Sequence, residues 1–163
     1  VVNGGGYDYF LEKDAGQNNQ KVVNAVKTSG KLSDADYDHL IEHHSGGEGH
    51  GHNHGSEAEE GGGHEHAHEF NEHLWYDFDT VKKVTNKIAD DLAEIDSSHA
   101  DQYRENAKKL TGEIDSLEES AKKISGKGKK YIATEPVPDY LISSTGAENS
   151  TPAEFAEAVE EGK

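Results

Sequence analysis

The clearest periodic signal in this 163-residue chain lies at its centre. Val81, Val84, Ile88, Leu92 and Ile95 recur at steps of three and four, the spacing that lines one face of a helix, and Asp79 stands where an N-cap is expected. A second series, Tyr103, Ala107, Leu110, Ile114, Leu117, Ala121 and Ile124, alternates four and three without a break. With Ser98 and Asp101 forming a pattern close to a capping box, it predicts a helix over 98–125, about 27 residues and near 40 Å at 1.5 Å per residue. A single stripe of that length either pairs in a coiled coil or lies along the surface of something larger. Gly126 and Gly128 end it.

The flanks alternate shorter signals. Val1-Val2-Asn3-Gly4-Gly5-Gly6 reads as the end of a buried strand running into a turn. Tyr7 to Lys13 reads as a short helix closed by Gly16, and Lys21 to Val26 as a strand, while the polar, poorly periodic stretch from Thr28 to His44 reads as loop. Beyond the long helix, Lys130 to Thr134 is a predicted strand. Pro136 suits the first turn of a helix over Val137 to Ser143 with Gly146 as its stop, and Thr151-Pro152-Ala153-Glu154 is a capping box that opens another. The rhythm is α/β, and the pattern predicts a fold that continues past both ends.

Composition narrows the partners. Sixteen basic residues against thirty-three acidic ones give a formal charge of −17, which argues against nucleic acid and anionic membrane surfaces and makes cations the natural ligands. With 31% hydrophobic residues the core should be thin. Cysteine is absent, so imidazole and carboxylate are the strong side-chain metal ligands available. No stretch approaches the roughly twenty apolar residues of a transmembrane helix.

The chain carries eleven histidines, and His43, His44, His50, His52, His54, His64, His66 and His68 fall in one tract interleaved with glycine and glutamate. Neutral imidazole is a borderline ligand for Zn²⁺, Cu²⁺ and Ni²⁺, and alternation such as His50-Gly51-His52-Asn53-His54 lets a pliable backbone bring several rings to one ion. The composition predicts disorder without metal, which is compatible with loose capture. A low-complexity insertion without a role is the bland alternative. An affinity tag is the other, but these histidines are internal and spaced.

Two further positions have ligand chemistry in an ordered context. His73 follows the tract within Asn71-Glu72-His73-Leu74-Trp75-Tyr76-Asp77, beside the only tryptophan; its alternative is a satisfied core or capping histidine. Glu135 falls between a predicted strand and helix, where open α/β sheets present ligand groups; its alternative is a carboxylate that merely favours a helix dipole. Catalytic motifs are wanting: there is no Gly-x-Ser-x-Gly, Gly4-Gly5-Gly6 lacks the lysine of a phosphate loop, and His64-Glu65-His66-Ala67-His68 lies in the glycine-rich tract rather than on a helix. A binding protein is expected, not an enzyme.

The arrangement resembles the zinc and manganese solute-binding proteins that feed metal-ion ABC importers. Val1-Val2-Asn3-Gly4-Gly5-Gly6-Tyr7-Asp8 is similar to that family's first-lobe Asn-Gly turn, and residues 71–77 resemble its Asn-Pro-His-x-Trp-x-Asp segment, with Glu72 in place of the common proline. Thr134-Glu135-Pro136-Val137-Pro138-Asp139-Tyr140-Leu141 resembles the strand-to-helix segment in which members carry a histidine or glutamate ligand followed by a tyrosine. Thr151-Pro152-Ala153-Glu154-Phe155 resembles the helix that comes next, and a histidine-rich loop before the second ligand marks the zinc-carrying members.

The resemblance implies a two-lobed, periplasmic-binding-protein-like α/β fold, its lobes joined by one long helix, with part of each lobe present. Residues 1–42 and 69–97 would belong to the first lobe, 43–68 to the histidine-rich loop, 98–125 to the connecting helix and 126–163 to the start of the second lobe. It implies His73 and Glu135 as two of four cleft ligands facing one another across the gap, with the tract histidines as low-affinity sites. It further implies a monomer outside the cytoplasm, periplasmic or lipid-anchored at the cell surface, that captures Zn²⁺ or Mn²⁺ and hands it to an ABC permease. A histidine-rich metal buffer or an adhesin-type surface protein is the alternative.

Overall fold

The computed structural model describes residues 1–8, 10–11, 20–45 and 70–160. The six tract histidines from His50 to His68 lie outside them, as do residues 9, 12 and 13 of the helix expected over Tyr7 to Lys13; of its described residues, Tyr7 and Asp8 belong to a turn and Phe10 and Leu11 are helical.

Val2 is buried and forms a parallel bridge with Asn24, supported by bonds from the Val2 amide to the Val23 carbonyl (2.9 Å) and from the Ala25 amide to the Val2 carbonyl (3.0 Å). The strand expected over Lys21–Val26 therefore stops at this bridge. Helix α1 begins at once, Ala25–Ser29, because the Asn24 side chain accepts from the Lys27 amide and caps it. Nor is the stretch after it loop. Helix α2 runs Asp34–Ser45, capped by the Ser33 hydroxyl, which accepts from the Asp36 amide (3.2 Å) and donates to the Asp36 carboxylate (2.6 Å). Tyr37 and Ile41, one turn apart on α2, pack with Val26, Leu74 and Phe70 in the core.

The opening turn is as the glycines predict. Gly4 has φ +83°, and the amides of Asn3 (2.6 Å) and Gly4 (2.8 Å) both donate to the Asp8 carboxylate. A Cβ on Gly4 would stand 2.8 Å from Asn24 Cγ, so the turn and the α1 cap interlock.

Past the tract, a 3₁₀ turn at Leu74–Tyr76 leads into helix α3, Phe78–Ile95. Its cap is Asp77, not Asp79: the Asp77 carboxylate accepts from the Thr80 amide (3.1 Å) and hydroxyl (2.5 Å), and Asp79 sits in the first turn. Lys31 reaches the same carboxylate at 3.1 Å. A second 3₁₀ turn, Ser97–His99, reverses the chain into α4, Ala100–Lys123, whose 24 residues span about 36 Å. The expected Ser98 cap is not made; its hydroxyl bonds Asp96 (2.5 Å) instead. α4 packs along α3; Ala107, Ile114 and Ala121 of α4 are buried, as are Ala89 and Ala93 of α3, while Leu110, Leu117 and Ile124 of the same stripe stay exposed. The long helix thus pairs with its own neighbour.

The chain then forms β1, Lys130–Tyr131, α5, Asp139–Ser144, β2, Glu148–Asn149, and α6, Ala153–Glu160. β1 and β2 pair in parallel, Lys130 with Glu148 and Tyr131 with Asn149, with α5 as the crossover. The strand is shorter than the expected 130–134 and α5 starts later than Val137, since residues 134–138 are bends and a turn. Gly146 (φ +85°) ends α5 as expected. Thr151 does not cap α6 in the expected manner: its hydroxyl accepts from the Ala133 amide (2.9 Å), joining the chain before α6 to the exit of β1. The described chain is accordingly mostly helical, with parallel α/β pairing reduced to two short places.

Candidate metal centre

Two segments that are distant in sequence meet at one cavity of about 580 Å³. Phe70 to His73 form one wall, Ala133 to Pro136 and Asp139 face them, and Gly5, Asn149 and Thr151 close the remaining sides. His73 and Glu135, 62 positions apart, both line it.

His73 is half-buried and held on three sides. Tyr7 and Trp75 meet its ring edge-on, with centroids at 6.2 Å and 5.1 Å, and pack on one another at 5.0 Å. Asn71 Oδ1 accepts from the His73 backbone amide (3.0 Å) and lies 2.8 Å from Nδ1. The segment is anchored from below by Leu74, 1% exposed in the core, and from the side by Asn3, whose side chain donates to the Glu72 carbonyl (2.9 Å). The opening Asn-Gly turn therefore supports the histidine segment directly.

Glu135 is exposed in the bend between β1 and α5. That bend is fixed to the other wall by two bonds to Asn71: its side-chain amide donates to the Pro136 carbonyl (2.9 Å), and the Tyr140 hydroxyl donates to its backbone carbonyl (2.8 Å). Burial pushes Tyr140 up to about 12, with added repulsion from Asp77, Glu72 and Asp139. Asp77 is paired with Lys31, whereas Glu72 and Asp139 line the cavity itself and add negative charge to it beside Glu135.

Among the described residues no group of three or more histidines, aspartates or glutamates is gathered closely enough to hold a metal ion. What the fold brings to the cavity is one imidazole, His73, and three carboxylates, Glu72, Glu135 and Asp139, all zinc-donor groups in kind. Local context and the family resemblance pointed to His73 and Glu135. They did not point to a role for Asn71, Glu72 or Asp139; the places of Asn71 and Glu72 depend on pairings across more than sixty positions. His99, the remaining described histidine outside α2, is exposed and paired with Asp96 (2.7 Å) at the hairpin between α3 and α4.

A cavity lined by one imidazole and several carboxylates, between two segments distant in sequence, is a place suited to binding a cation. Residues 1–162 match the family described as zinc-uptake complex component A, periplasmic, and the chain belongs to that family. It is therefore a zinc-binding component of ABC-type import acting outside the cytoplasm, with a periplasmic-binding-protein-like fold, and not an enzyme. Neither the curated proteins nor the solved structures include a match to it. No helix among the described residues is long and apolar enough to cross a membrane.

Proposed function

We propose that this chain captures Zn²⁺ between His73 and Glu135 and passes it to the permease of its importer, with the histidine tract as a loose collector. One observation carries this reading: His73 and Glu135, from segments 62 positions apart, line one cavity together with Glu72 and Asp139. Residues 1–97 would form one lobe, α4 the connection and residues 126–163 the start of the other, matching the two places where parallel pairing occurs. The cavity is far larger than one ion, so the walls would draw together to bring both donors to about 2.0–2.2 Å. Imidazole favours zinc over manganese, which suits oxygen ligands better. The family resemblance extends the reading to a monomer held at the membrane by a lipid.

Calorimetric titration with zinc tests it. His73→Ala and Glu135→Ala should each weaken the tightest site of the full-length protein, whereas deletion of residues 46–68 should lower the number of ions bound and leave that site in place. If the deletion abolishes all binding and the two substitutions change nothing, the chain is a histidine-rich buffer and the cleft assignment falls.

A further inference from the structure

We propose that Asn71 is a positioning residue that fixes the tautomer of His73 and couples its ring to the Glu135 bend; this rests on the reading of His73 as a ligand. The orientation of the Asn71 amide is determined by its surroundings. Oδ1 faces the His73 backbone N–H at 3.0 Å and Nδ2 faces the Pro136 carbonyl at 2.9 Å. Turning the amide over would set a donor against a donor and an acceptor against an acceptor at once.

With Oδ1 so placed, the His73 Nδ1 at 2.8 Å faces an atom that only accepts, so Nδ1 must carry the proton. In the neutral ring the lone pair is then on Nε2, the nitrogen free to take a cation. A cation on Nε2 withdraws charge from the ring and strengthens the Nδ1–H bond to Oδ1, which in turn polarises the amide toward the Pro136 carbonyl. Tyr140 holds the backbone of the same asparagine, so the residue is gripped twice by the segment that carries Glu135. Loading His73 and seating the opposite wall are thus one event transmitted through a single side chain.

The test has a metal-free and a metal-bound part, both on the full-length protein with ¹⁵N-labelled histidine. At about pH 8.5, where imidazole is ordinarily neutral, long-range proton–nitrogen correlation should show His73 as the Nδ1–H form, its signals assigned by their loss in His73→Ala. Asn71→Ala should populate the Nε2–H form, and Asn71→Asp, which keeps the acceptor at Nδ1, should restore the Nδ1–H form. Zinc affinity should drop about 10- to 100-fold in Asn71→Ala and should show no further drop when Asn71→Ala is added to His73→Ala. A tautomer unchanged in Asn71→Ala, or an equal loss of affinity in both backgrounds, would overturn the proposal. If His73→Ala alone leaves zinc affinity unchanged, the ligand assignment fails, and the metal-free tautomer readout still decides the role of Asn71.

Discussion

Lys82 of α3 donates to Glu118 of α4 at 2.8 Å, joining the two long helices across their seam. The bond from Lys122 (2.5 Å) and that from Lys82 hold the Glu118 carboxyl at about 2, against an ordinary 4.5. A carboxyl depressed on folding stabilises the folded state above its unfolded value, and that contribution is lost as pH falls through the folded one. Glu118→Gln should therefore destabilise by about 1 kcal/mol at neutral pH, and the difference should shrink between about 4.5 and about 2. Urea unfolding of both proteins at several pH values reads this; a difference that stays constant down to the lowest pH would exclude it.

Tyr140 gives the opposite sign. Its hydroxyl is held up to about 12 by burial first and by Asp77, Glu72 and Asp139 after it, against an ordinary 10.0. Its contribution is complete below the unfolded value and is lost as pH rises through the folded one. Stability should fall between about 10 and about 12, and Tyr140→Phe should flatten that fall while costing about 1 kcal/mol at neutral pH through the lost bond to Asn71. Alkaline unfolding curves that superimpose for the two proteins would count against it.

Gly4 and Gly30 both adopt positive φ, +83° and +70°, but only Gly4 is crowded by a neighbour. Alanine at Gly30 should cost about 1–2 kcal/mol from backbone strain alone. At Gly4 the added methyl also displaces Asn24 from the α1 cap, so the loss should exceed that at Gly30 by at least about 1 kcal/mol. Thermal unfolding ranks the two, and equal losses would mean that the cap and the turn are independent.

Leu74, 1% exposed, belongs to the core directly after the candidate ligand His73, whereas Leu117 is 60% exposed on the long helix. Leu74→Ala should cost about 2–5 kcal/mol, and Leu117→Ala should stay within about 0.5 kcal/mol of the parent. Chemical denaturation distinguishes them; comparable costs would show that the exposed stripe of α4 is covered in solution.

Legibility in the sequence followed the range of the interactions. α3 and α4 were readable because their apolar residues repeat within each helix, from Val81 to Ile95 and from Tyr103 to Ile124. α2 was not, because it is polar and its cap pairs Ser33 with aspartate, although the same spacing was read at Ser98 and Asp101, where no cap forms. Lys21 to Val26 reads as a strand in the sequence, yet the Asn24 cap turns the chain into a helix after one bridge. His73 and Glu135 stood out by residue type and local motif, and the fold brings both to one cavity. Asn71 was legible as part of the His73 motif but not in its own role, since its partners are 65 and 69 positions away.

The contacts of Tyr7 and Trp75 with His73 bear on how quickly and how tightly a cation can be taken. A free histidine side chain must surrender rotamer entropy when it coordinates, a loss on the order of 0.5–1.5 kcal/mol for each side chain immobilised on binding. Here two aromatic edges and an amide already confine the ring, so that ordering is complete once the chain has folded. Glu135, exposed on its bend, retains that freedom. On the proposed reading the two donors differ in preorganisation: the rigid imidazole meets the ion first, and the carboxylate follows at the entropic cost of its own ordering, which leaves it the easier of the two to withdraw when the ion has to leave.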